Sequence, residues 1–562
     1  MAKKRGGTKQ KATTKHHGGG GKRGKNTSSG GGSFLGLQSP LFLGVLLGIA
    51  GLALKDYGTD LLVALGLQDA SAKSGKRRTP VNPVDACGLV MADSSFPNGG
   101  WGMFTLRDLP HGSPVGYPSL LIHIPDIPTE HADAVDYILH DYLWGGDIFG
   151  GGMGEGRTLY SFLPGVGSLA NGHPSQWNVA PVRWPAEMDD PPIHRATGSP
   201  GTGAGTHYHG LSFHVYGERE TIPAGDEIVV NYGLGWLHKV SDTEETNPRK
   251  AVRALRENGL CLDHIESGIS KIQDAGRGAF AKRRLPKGTM VAPLPLIPIR
   301  TRESMEMDDD RQQLLKNYCF THTNSTLLLL PYGPTVNLVN HGGKGEANVR
   351  LRWSESTLWD RDQKLQLSVL EVAENPHGLL MELVATREIR RGEEILLDYG
   401  EDWESAWAQH KSHWEPPANA ANHVYFLEFD KSTPLLRTPE ELNENPYPSN
   451  LQTTCYYSYN PEQRTPIIWE HQRETLQPNN LFPCRVLERN STSNEYTMHI
   501  LPSTSPFSQT EIPENHVVER VPRGAVRFQD AHLSTDQQLK GTFRHSMGIP
   551  SDLFPTNWMN IV

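Results

Sequence analysis

Cysteine is scarce in this chain and widely scattered. Such spacing encodes neither a zinc cluster nor a dense disulfide framework. We expect the cysteines to be structural thiols, with one pair able to bridge in an oxidising compartment. The five cysteines among 562 residues are Cys87, Cys261, Cys319, Cys455 and Cys484.

An overall excess of positive charge is also lacking. The net charge is -9, and a protein that binds phosphate backbones is usually basic along one face, so we predict no direct nucleic-acid partner. Residues 1–33 are the exception, because they carry nine Lys or Arg and no acidic residue. This stretch of Gly, Ser, Thr and Lys has no apolar periodicity, so we expect a disordered tail that could address the nucleus or bind acidic lipids.

Charged residues are absent from Phe34 to Leu54, which reads FLGLQSPLFLGVLLGIAGLAL. Twenty-one residues at helical rise span about 30 Å, the thickness of a bilayer core. The segment therefore predicts a single-pass membrane anchor, and the basic tail would place most of the chain on the far side of the membrane. A buried soluble helix, a cleaved signal peptide and an organelle-targeting leader are the alternatives. The N-S-T tripeptides at Asn324 and Asn490 are compatible with a luminal location.

Internal similarity organises the middle of the chain. GWGMFTLRDLPHG at 100–112 matches GRGAFAKRRLPKG at 276–288, and SLANGHPSQWNV at 168–179 matches NLVNHGGKGEANV at 337–349. A third pair is TIPAGDEIVVNYG at 221–233 and EIRRGEEILLDYG at 388–400. The three anchors recur in the same order, so we predict two tandem units. We call residues 87–242 the first unit and residues 263–410 the second unit.

The anchors of the second unit resemble, in this order, the motifs of the SET domain of protein lysine methyltransferases. The resemblance covers about 140 residues, roughly one domain. It implies a mainly β fold with some α-helix, in which the C-terminal part threads in a knot-like arrangement, here duplicated. The implied organisation is a tail (1–33), an anchor (34–54), a linker (55–86), a degenerate SET-like unit (87–242), a connecting segment (243–262), a SET domain (263–410) and a β-rich accessory domain (411–562).

The resemblance also implies S-adenosylmethionine as cofactor and the lysine side chain of a protein as substrate. Methyl transfer to an amine requires a neutral amine held in line with the sulfonium methyl group, so the site needs a desolvated channel and aligned oxygens. By position in the motifs, Tyr399 is the expected catalytic tyrosine and Tyr318 a second tyrosine of the lysine channel, although a core tyrosine at 318 is equally compatible. The cofactor-binding residues so implied are Gly276, Arg277, Gly278, Asn340, His341 and Tyr399, with Asn348 matching the later Asn of the second motif.

Two departures from the family pattern leave an alternative open. The middle of the second motif reads Gly-Gly-Lys-Gly-Glu-Ala between His341 and Asn348, which is two residues longer than usual. The cysteine-rich flanks of many histone methyltransferases are missing. A membrane-tethered, non-catalytic SET-like scaffold is therefore the alternative function. Aromatic residues over Trp403 to Trp414 could close a wall of the cofactor site, but a packing helix is the favoured interpretation.

In the first unit the motif reads Asn171-Gly172-His173, so the histidine is shifted or lost while Tyr232 remains. We expect a degenerate partner that shapes the substrate groove. The histidines at 207, 209 and 214 lack acidic or thiol companions, so we predict no metal site. C-terminal to the second unit, residues 484–501 predict a β-hairpin and residues 524–530 a further strand.

Overall fold

The computed structural model describes most of the chain from Cys87 to Met559. The predicted tail, apolar segment and linker all lie outside the described residues, as do His207 and His209. No helix among the described residues is long and apolar enough to cross a membrane. The described residues are 87–117, 120–125, 142–145, 159–183, 198–206, 211–216, 220–232, 248–300, 302–307, 310–368, 371–372, 375, 377–416, 424–456, 481–501, 516–531, 534 and 536–559.

The first unit consists of short strands in several small sheets. Strand β1 pairs with β2 and with β12 (Leu260–Cys261) of the connecting segment, β4 and β5 flank β6, and the pairs β3–β10 and β8–β9 are antiparallel. The elements are β1 Leu89–Asp93, β2 Trp101–Thr105, β3 Leu109–Pro110, β4 Ile122–Pro125, β5 Leu143–Gly145, β6 Leu159–Phe162, α1 Val166–Leu169, β7 Asn171–Gly172, β8 Val179–Arg183, β9 Leu211–Val215, β10 Thr221–Ile222 and β11 Val229–Val230.

The second unit is built on the hairpin β13–β14 and on a sheet with strand order β19-β20-β15-β17-β16-β27, in which β27 is Met547–Gly548 from the C-terminal region. The connecting segment between the units contains the helix α2. The elements are α2 Val252–Asn258, β12 Leu260–Cys261, β13 Ile265–Ile269, β14 Arg277–Ala281, β15 Met290–Ile299, β16 Phe320–Thr321, β17 Leu328–Pro331, β18 Asn340–His341, α3 Gly343–Glu346, β19 Val349–Trp353, α4 Arg361–Lys364, β20 Leu379–Ala385, β21 Leu396–Leu397 and α5 Glu401–His413.

The central strand β15 contains three prolines that the sheet accommodates at unpaired positions. Proline lacks the N–H that a ladder requires. Pro293 and Pro295 face the β17 side, but pairing with β17 begins only at Leu296. Pro298 faces the β20 side, where the ladder has already ended at the Leu296–Leu379 pair. No ladder hydrogen bond is therefore lost at any of the three.

The C-terminal region forms a five-stranded antiparallel sheet, with strand order β25-β24-β23-β22-β26, and one strand that joins the second unit. The predicted hairpin is confirmed as β23–β24, and the further strand as β26. The last strand, β27, pairs in parallel with β16 of the second unit. The elements are α6 Phe426–Ser432, α7 Pro439–Glu444, β22 Leu451–Tyr456, β23 Leu481–Arg489, β24 Glu495–Ile500, β25 His516–Pro522, β26 Val526–Asp530 and β27 Met547–Gly548.

One hydrophobic core is shared by both units and by the last residues of the described chain. It runs from Leu89 in the first unit through the second unit to Trp558, which is fully buried. The five-stranded sheet has a separate core that contains Tyr496 and Phe528. Because a continuous core folds as one body, the two units and the segment from 547 to 558 are structurally interdependent.

Two disulfides correct the expectation that the cysteines are structural thiols, of which one pair could bridge. Cys87 bonds to Cys261, and Cys455 to Cys484. Spacing in sequence could not reveal either pair, because strand pairing brings them together: β1 lies beside β12, and β22 beside β23. Among the described cysteines only Cys319 is a free thiol, and it is buried.

Candidate active site

A buried carboxylate lies at the centre of the second unit's motifs. Glu394 is 5% exposed and accepts hydrogen bonds from Ser270 Oγ at 2.7 Å, Lys271 N at 2.9 Å and Asn340 Nδ2 at 3.1 Å. A buried charge is tolerated only when donors surround it. Glu394 therefore ties together the end of β13, strand β18 and the segment that leads into β21.

The two glycines of the first motif serve different purposes. A Cβ at Gly278 would lie 2.3 Å from Glu394 Oε1 and 3.3 Å from Asn340 Nδ2, so only glycine allows the carboxylate to approach. Gly276 has φ +66° and no atom within 4 Å of its Cβ position, so there the need is conformational. Gly278 thus leaves room for the hydrogen-bonded framework of Glu394 and Asn340, whereas Gly276 lines the cavity described below.

Asn340 and Asn348 hold the motif strands in register. Asn340 Nδ2 also donates to the Arg277 carbonyl at 2.9 Å. The fully buried Asn348 donates from Nδ2 to the Glu394 carbonyl at 2.7 Å and accepts from Leu396 N at 2.9 Å. These bonds support the parallel pairing of β18 with β21, which places His341 beside the start of the Asp398-Tyr399 segment.

His341 and Tyr399 are linked through the backbone. Tyr399 N donates to His341 Nδ1 at 3.0 Å, and His341 Nε2 lies 3.2 Å from Glu404 Oε1. This pattern assigns the imidazole proton to Nε2. Burial lowers the pKa of His341, with the Glu404 carboxylate opposing the effect, so the ring is neutral and can accept the Tyr399 N–H at neutral pH.

Two tyrosine hydroxyls at the site differ in their hydrogen bonding, because one donates within the protein and the other accepts. Tyr399 donates its hydroxyl proton to the Val339 carbonyl, which leaves the phenolic oxygen as an acceptor. Tyr318 instead accepts from Thr206 N at 2.9 Å, so its own proton remains to be donated. Burial raises the pKa of Tyr318 to about 12 and raises that of Tyr399, with Tyr318 adding to the shift of Tyr399. Both hydroxyls are therefore un-ionised at neutral pH.

These residues surround one cavity of about 310 Å³, a size typical of small-molecule sites. Among the residues predicted from the motifs, Gly278 does not line it, and Asn348 lies behind it in the framework. The predicted residues that line the cavity are Gly276, Arg277, Tyr318, Asn340, His341 and Tyr399.

Aromatic rings from two segments form another part of the cavity wall. Trp403 and Trp407 lie on α5, a helix with no buried residue. Phe543 packs edge-on against both rings, at 5.5 and 5.0 Å between centroids. The Trp403–Trp414 segment is thus a helix that packs against Phe543 and that also places Trp403 and Trp407 in the cavity wall.

The first unit contains the same hydrogen-bonded framework. Glu227 accepts from Ser94 Oγ, Ser95 N and Asn171 Nδ2, and a Cβ at Gly102 would lie 2.4 Å from its Oε1. Strand β7 pairs in parallel with β11 as β18 does with β21. The resemblance between the units thus extends to hydrogen bonds, while an origin by duplication stays a prediction.

Sequence reasoning missed several residues that the cavity requires. Glu394 is one of two adjacent acids in the Gly-Glu-Glu turn, and only the structure shows which is buried. The loop Gly201–Thr206 and the residues Phe543 and Met547 also line the cavity, although they lie far from the motifs in sequence. No local pattern marks them, because their role arises from the shared core.

Comparisons with known proteins agree with the motifs. A family model described as SET domain matches residues 276–400. None of the curated proteins matches the chain. Similar solved structures include a Plasmodium falciparum protein whose name places it among histone methyltransferases, at 20% identity with TM-score 0.17, covering 25% of this chain and 96% of that one.

Structures of Polycomb Repressive Complex 2 also match. One is an active complex in the basal state, at 18% identity with TM-score 0.19, covering 27% of this chain and 17% of that one. Another, from Chaetomium thermophilum, is in an autoinhibited conformation bound to S-adenosylmethionine, at 17% identity with TM-score 0.17, covering 24% and 15%. The assignment rests on the family model together with the motifs, their β fold and their placement around one cavity: residues 276–400 of this chain are a SET domain.

Proposed function

We propose that the chain is an S-adenosylmethionine-dependent protein lysine N-methyltransferase whose site lies in the second unit. One observation carries the proposal. Residues from three motifs that are separated in sequence line a single cavity, with the Tyr399 and Tyr318 hydroxyls presented in complementary hydrogen-bonding states.

The residues around the cavity fit the proposed cofactor. The space at Gly276 is open to a ligand, which suits the methionyl part that the family places at this motif. The rings of Trp403 and Trp407 offer flat apolar surfaces for an adenine. When bound, S-adenosylmethionine supplies the methyl group as an electrophilic sulfonium carbon.

This chain's own groups would prepare the lysine. Apolar side chains such as Leu294 and Leu338 line the cavity and disfavour the ammonium form of an entering amine. The Tyr399 oxygen, whose proton is donated to Val339, accepts an N–H from the neutral amine and orients its lone pair. Neither tyrosine acts as a base, because burial raises both pKa values.

Methyl transfer by the purified full chain tests the proposal. Transfer of labelled methyl groups from S-adenosylmethionine to a protein mixture is expected, with loss of about two orders of magnitude in Tyr399→Phe. Tyr232→Phe is the matched control, because Tyr232 donates to the Ala170 carbonyl in the first unit as Tyr399 does to Val339. An inactive wild type, or activity lost with Tyr232→Phe and kept with Tyr399→Phe, contradicts the proposal.

The non-catalytic scaffold remains the second candidate, because the second motif is two residues longer than in the family. The lengthened middle of the motif contains the helical turn α3, and the Asn340 and Asn348 contacts to Glu394 are made on either side of it. Calorimetry with S-adenosylmethionine separates the two functions. A scaffold gives no binding heat and no thermal stabilisation.

We further propose that the chain works on the non-cytosolic side of a membrane, held by residues 34–54. The two disulfides support this location, because disulfides persist in oxidising compartments and are rare in the cytosol and nucleus. Asn324 and Asn490 are exposed, and Asn490 lies in the turn between β23 and β24. Enzymatic removal of N-linked glycans from the cellular protein should increase its gel mobility, and less so after Asn490→Gln. An unchanged mobility together with free thiols at Cys87 and Cys455 would contradict this location.

A released form in an organelle, after cleavage of the leader, is the remaining alternative. Sequencing the N-terminus of the mature protein distinguishes it from an anchored form. An N-terminus after Leu54 indicates cleavage, whereas one before Phe34 indicates that the anchor is retained.

A further inference from the structure

The loop Gly201–Thr206 belongs to the first unit in sequence but lies in the cavity of the second. Gly201, Gly203, Ala204, Gly205 and Thr206 all line that cavity. Three of the six residues of the loop are glycines, so the backbone itself forms the surface. The first unit therefore contributes directly to the site of the SET domain.

Four hydrogen bonds fix the loop in place. Thr206 N donates to the Tyr318 hydroxyl at 2.9 Å, and Asn317 Nδ2 donates to the Ala204 carbonyl at 2.8 Å. From the C-terminal segment, Arg544 Nη1 donates to the Gly203 carbonyl at 2.6 Å. Thr206 Oγ1 also donates to the Leu121 carbonyl at 2.7 Å within the first unit. The loop is thus held from the first unit, the SET domain and the C-terminal segment together.

The first unit itself has lost a central part of the site. Gly172 occupies the position in β7 that His341 occupies in β18. A Cβ at Gly172 would lie 2.1 Å from Tyr232 Cδ2, so the tyrosine ring fills the space that a histidine would need. His173 Nδ1 accepts from Ser175 N and Gln176 N instead, so it does not replace the missing histidine. The framework is kept while the ligand-facing residue is absent.

We propose that the first unit acts as a positioning module for the SET domain, with Gly201–Thr206 forming one wall of the channel for the target lysine. Thr206 fixes the hydroxyl of Tyr318 through its backbone N–H. This inference rests on the proposed methyltransferase function. It identifies the Tyr318 end of the cavity as the lysine entrance and assigns substrate selection to a segment outside residues 276–400.

Gly205 is the residue at which the channel can be narrowed with least disturbance. It is exposed, its φ is not positive, and the nearest atom to a Cβ built there is the Tyr318 hydroxyl oxygen, at 3.9 Å. A side chain at this position therefore points toward the tyrosine without a backbone clash. Gly524 is the matched control, because a Cβ there meets nothing within 4 Å and the residue lies beside the separate five-stranded sheet.

The test compares Gly205→Leu, Gly205→Ala and Gly524→Leu in the full chain. We expect Gly205→Leu to raise the KM for the protein substrate at least about tenfold, while the Kd for S-adenosylmethionine by calorimetry stays within about twofold of wild type. Gly205→Ala should raise the same KM less, by about threefold. This variant tests the channel wall if Gly205→Leu does not fold. Gly524→Leu should leave both constants unchanged.

The outcomes separate this inference from the proposed function. A wild type that binds no S-adenosylmethionine and transfers no methyl group overturns both. An active wild type whose substrate KM is unchanged by both Gly205 substitutions overturns the channel wall alone. Equal loss of cofactor affinity and substrate affinity would assign the loop to general folding and would also overturn it.

Discussion

The close packing of Gly278 against Glu394 leads to a quantitative prediction for Gly278→Ala. The added Cβ would lie 2.3 Å from Glu394 Oε1, about 1 Å inside ordinary van der Waals contact. The same oxygen accepts from Ser270 Oγ and Asn340 Nδ2. Displacing the carboxylate by that amount breaks both bonds to this buried acceptor, and each such loss costs about 1–3 kcal/mol. We expect a loss of about 2–6 kcal/mol in stability.

Gly276→Ala is the control for this prediction. Its Cβ meets no atom within 4 Å, so only the positive φ is penalised, at about 1 kcal/mol. Urea unfolding of the full chain gives the global change, and hydrogen exchange of peptides covering β13 and β14 gives the local one. If Gly278→Ala is no more destabilising than Gly276→Ala, the framework role of Glu394 is refuted.

Three further predictions concern residues that do not line the cavity. Burial and Arg283 lower the pKa of His264 to about 4 in the folded state, whereas its value in the unfolded state is about 6.5. As the pH falls, the unfolded state therefore takes up the proton before the folded state does. The free energy of unfolding should be highest above about pH 6.5 and should fall by about 3 kcal/mol toward pH 4. Urea titrations at several pH values should show this pH dependence of the free energy of unfolding in the wild type and not in His264→Gln. The same pH dependence in both proteins would contradict the prediction. The bond between Cys87 and Cys261 closes a loop with a sequence separation of 174, so Cys87→Ser should cost about 5 kcal/mol by loop entropy, and an unchanged urea midpoint would contradict it. Gly102→Ala should destabilise the protein through the contact with Glu227 without weakening S-adenosylmethionine binding more than about twofold. A larger loss of affinity in the folded variant, measured by calorimetry, would contradict this prediction.

Three residues that the motifs single out lie around one cavity because their strands pair, while their roles in catalysis and cofactor binding stay predictions. Asn340 and His341 share β18, and Tyr399 follows β21, its parallel partner. The family resemblance therefore placed all three around one cavity. The fold class, mainly β with some α-helix, is confirmed, and residues 276–400 are a SET domain. The knot-like threading and the duplication stay predictions.

The sequence alone could not assign roles that depend on the shared core. The motif predicts that Gly278 contacts the cofactor, and that role stays a prediction. The structure adds a neighbour that the motif did not indicate, because Glu394 forms a β-bridge with Phe280 of β14 and lies against Gly278. Gly205 precedes residues 276–400 in sequence and Phe543 follows them, yet both residues line the cavity. Such placements result from tertiary packing, which leaves no local periodicity to detect.

The shared core also makes each unit dependent on the other for its buried surface. Residues from Leu89 to Trp558 contribute to one hydrophobic cluster, so either unit expressed alone would expose a large apolar surface. Cofactor binding is therefore best assigned in the full chain, by substitutions at matched positions of the two units.

The most direct test of the central claim is calorimetric titration of the full chain with S-adenosylmethionine. One binding site per chain is predicted, because His341 borders the cavity whereas Gly172 occupies the matching position of the first unit. His341→Ala should weaken binding at least about tenfold, and His173→Ala should leave it unchanged. No binding by the wild type, or binding that is lost with His173→Ala and kept with His341→Ala, would contradict the account.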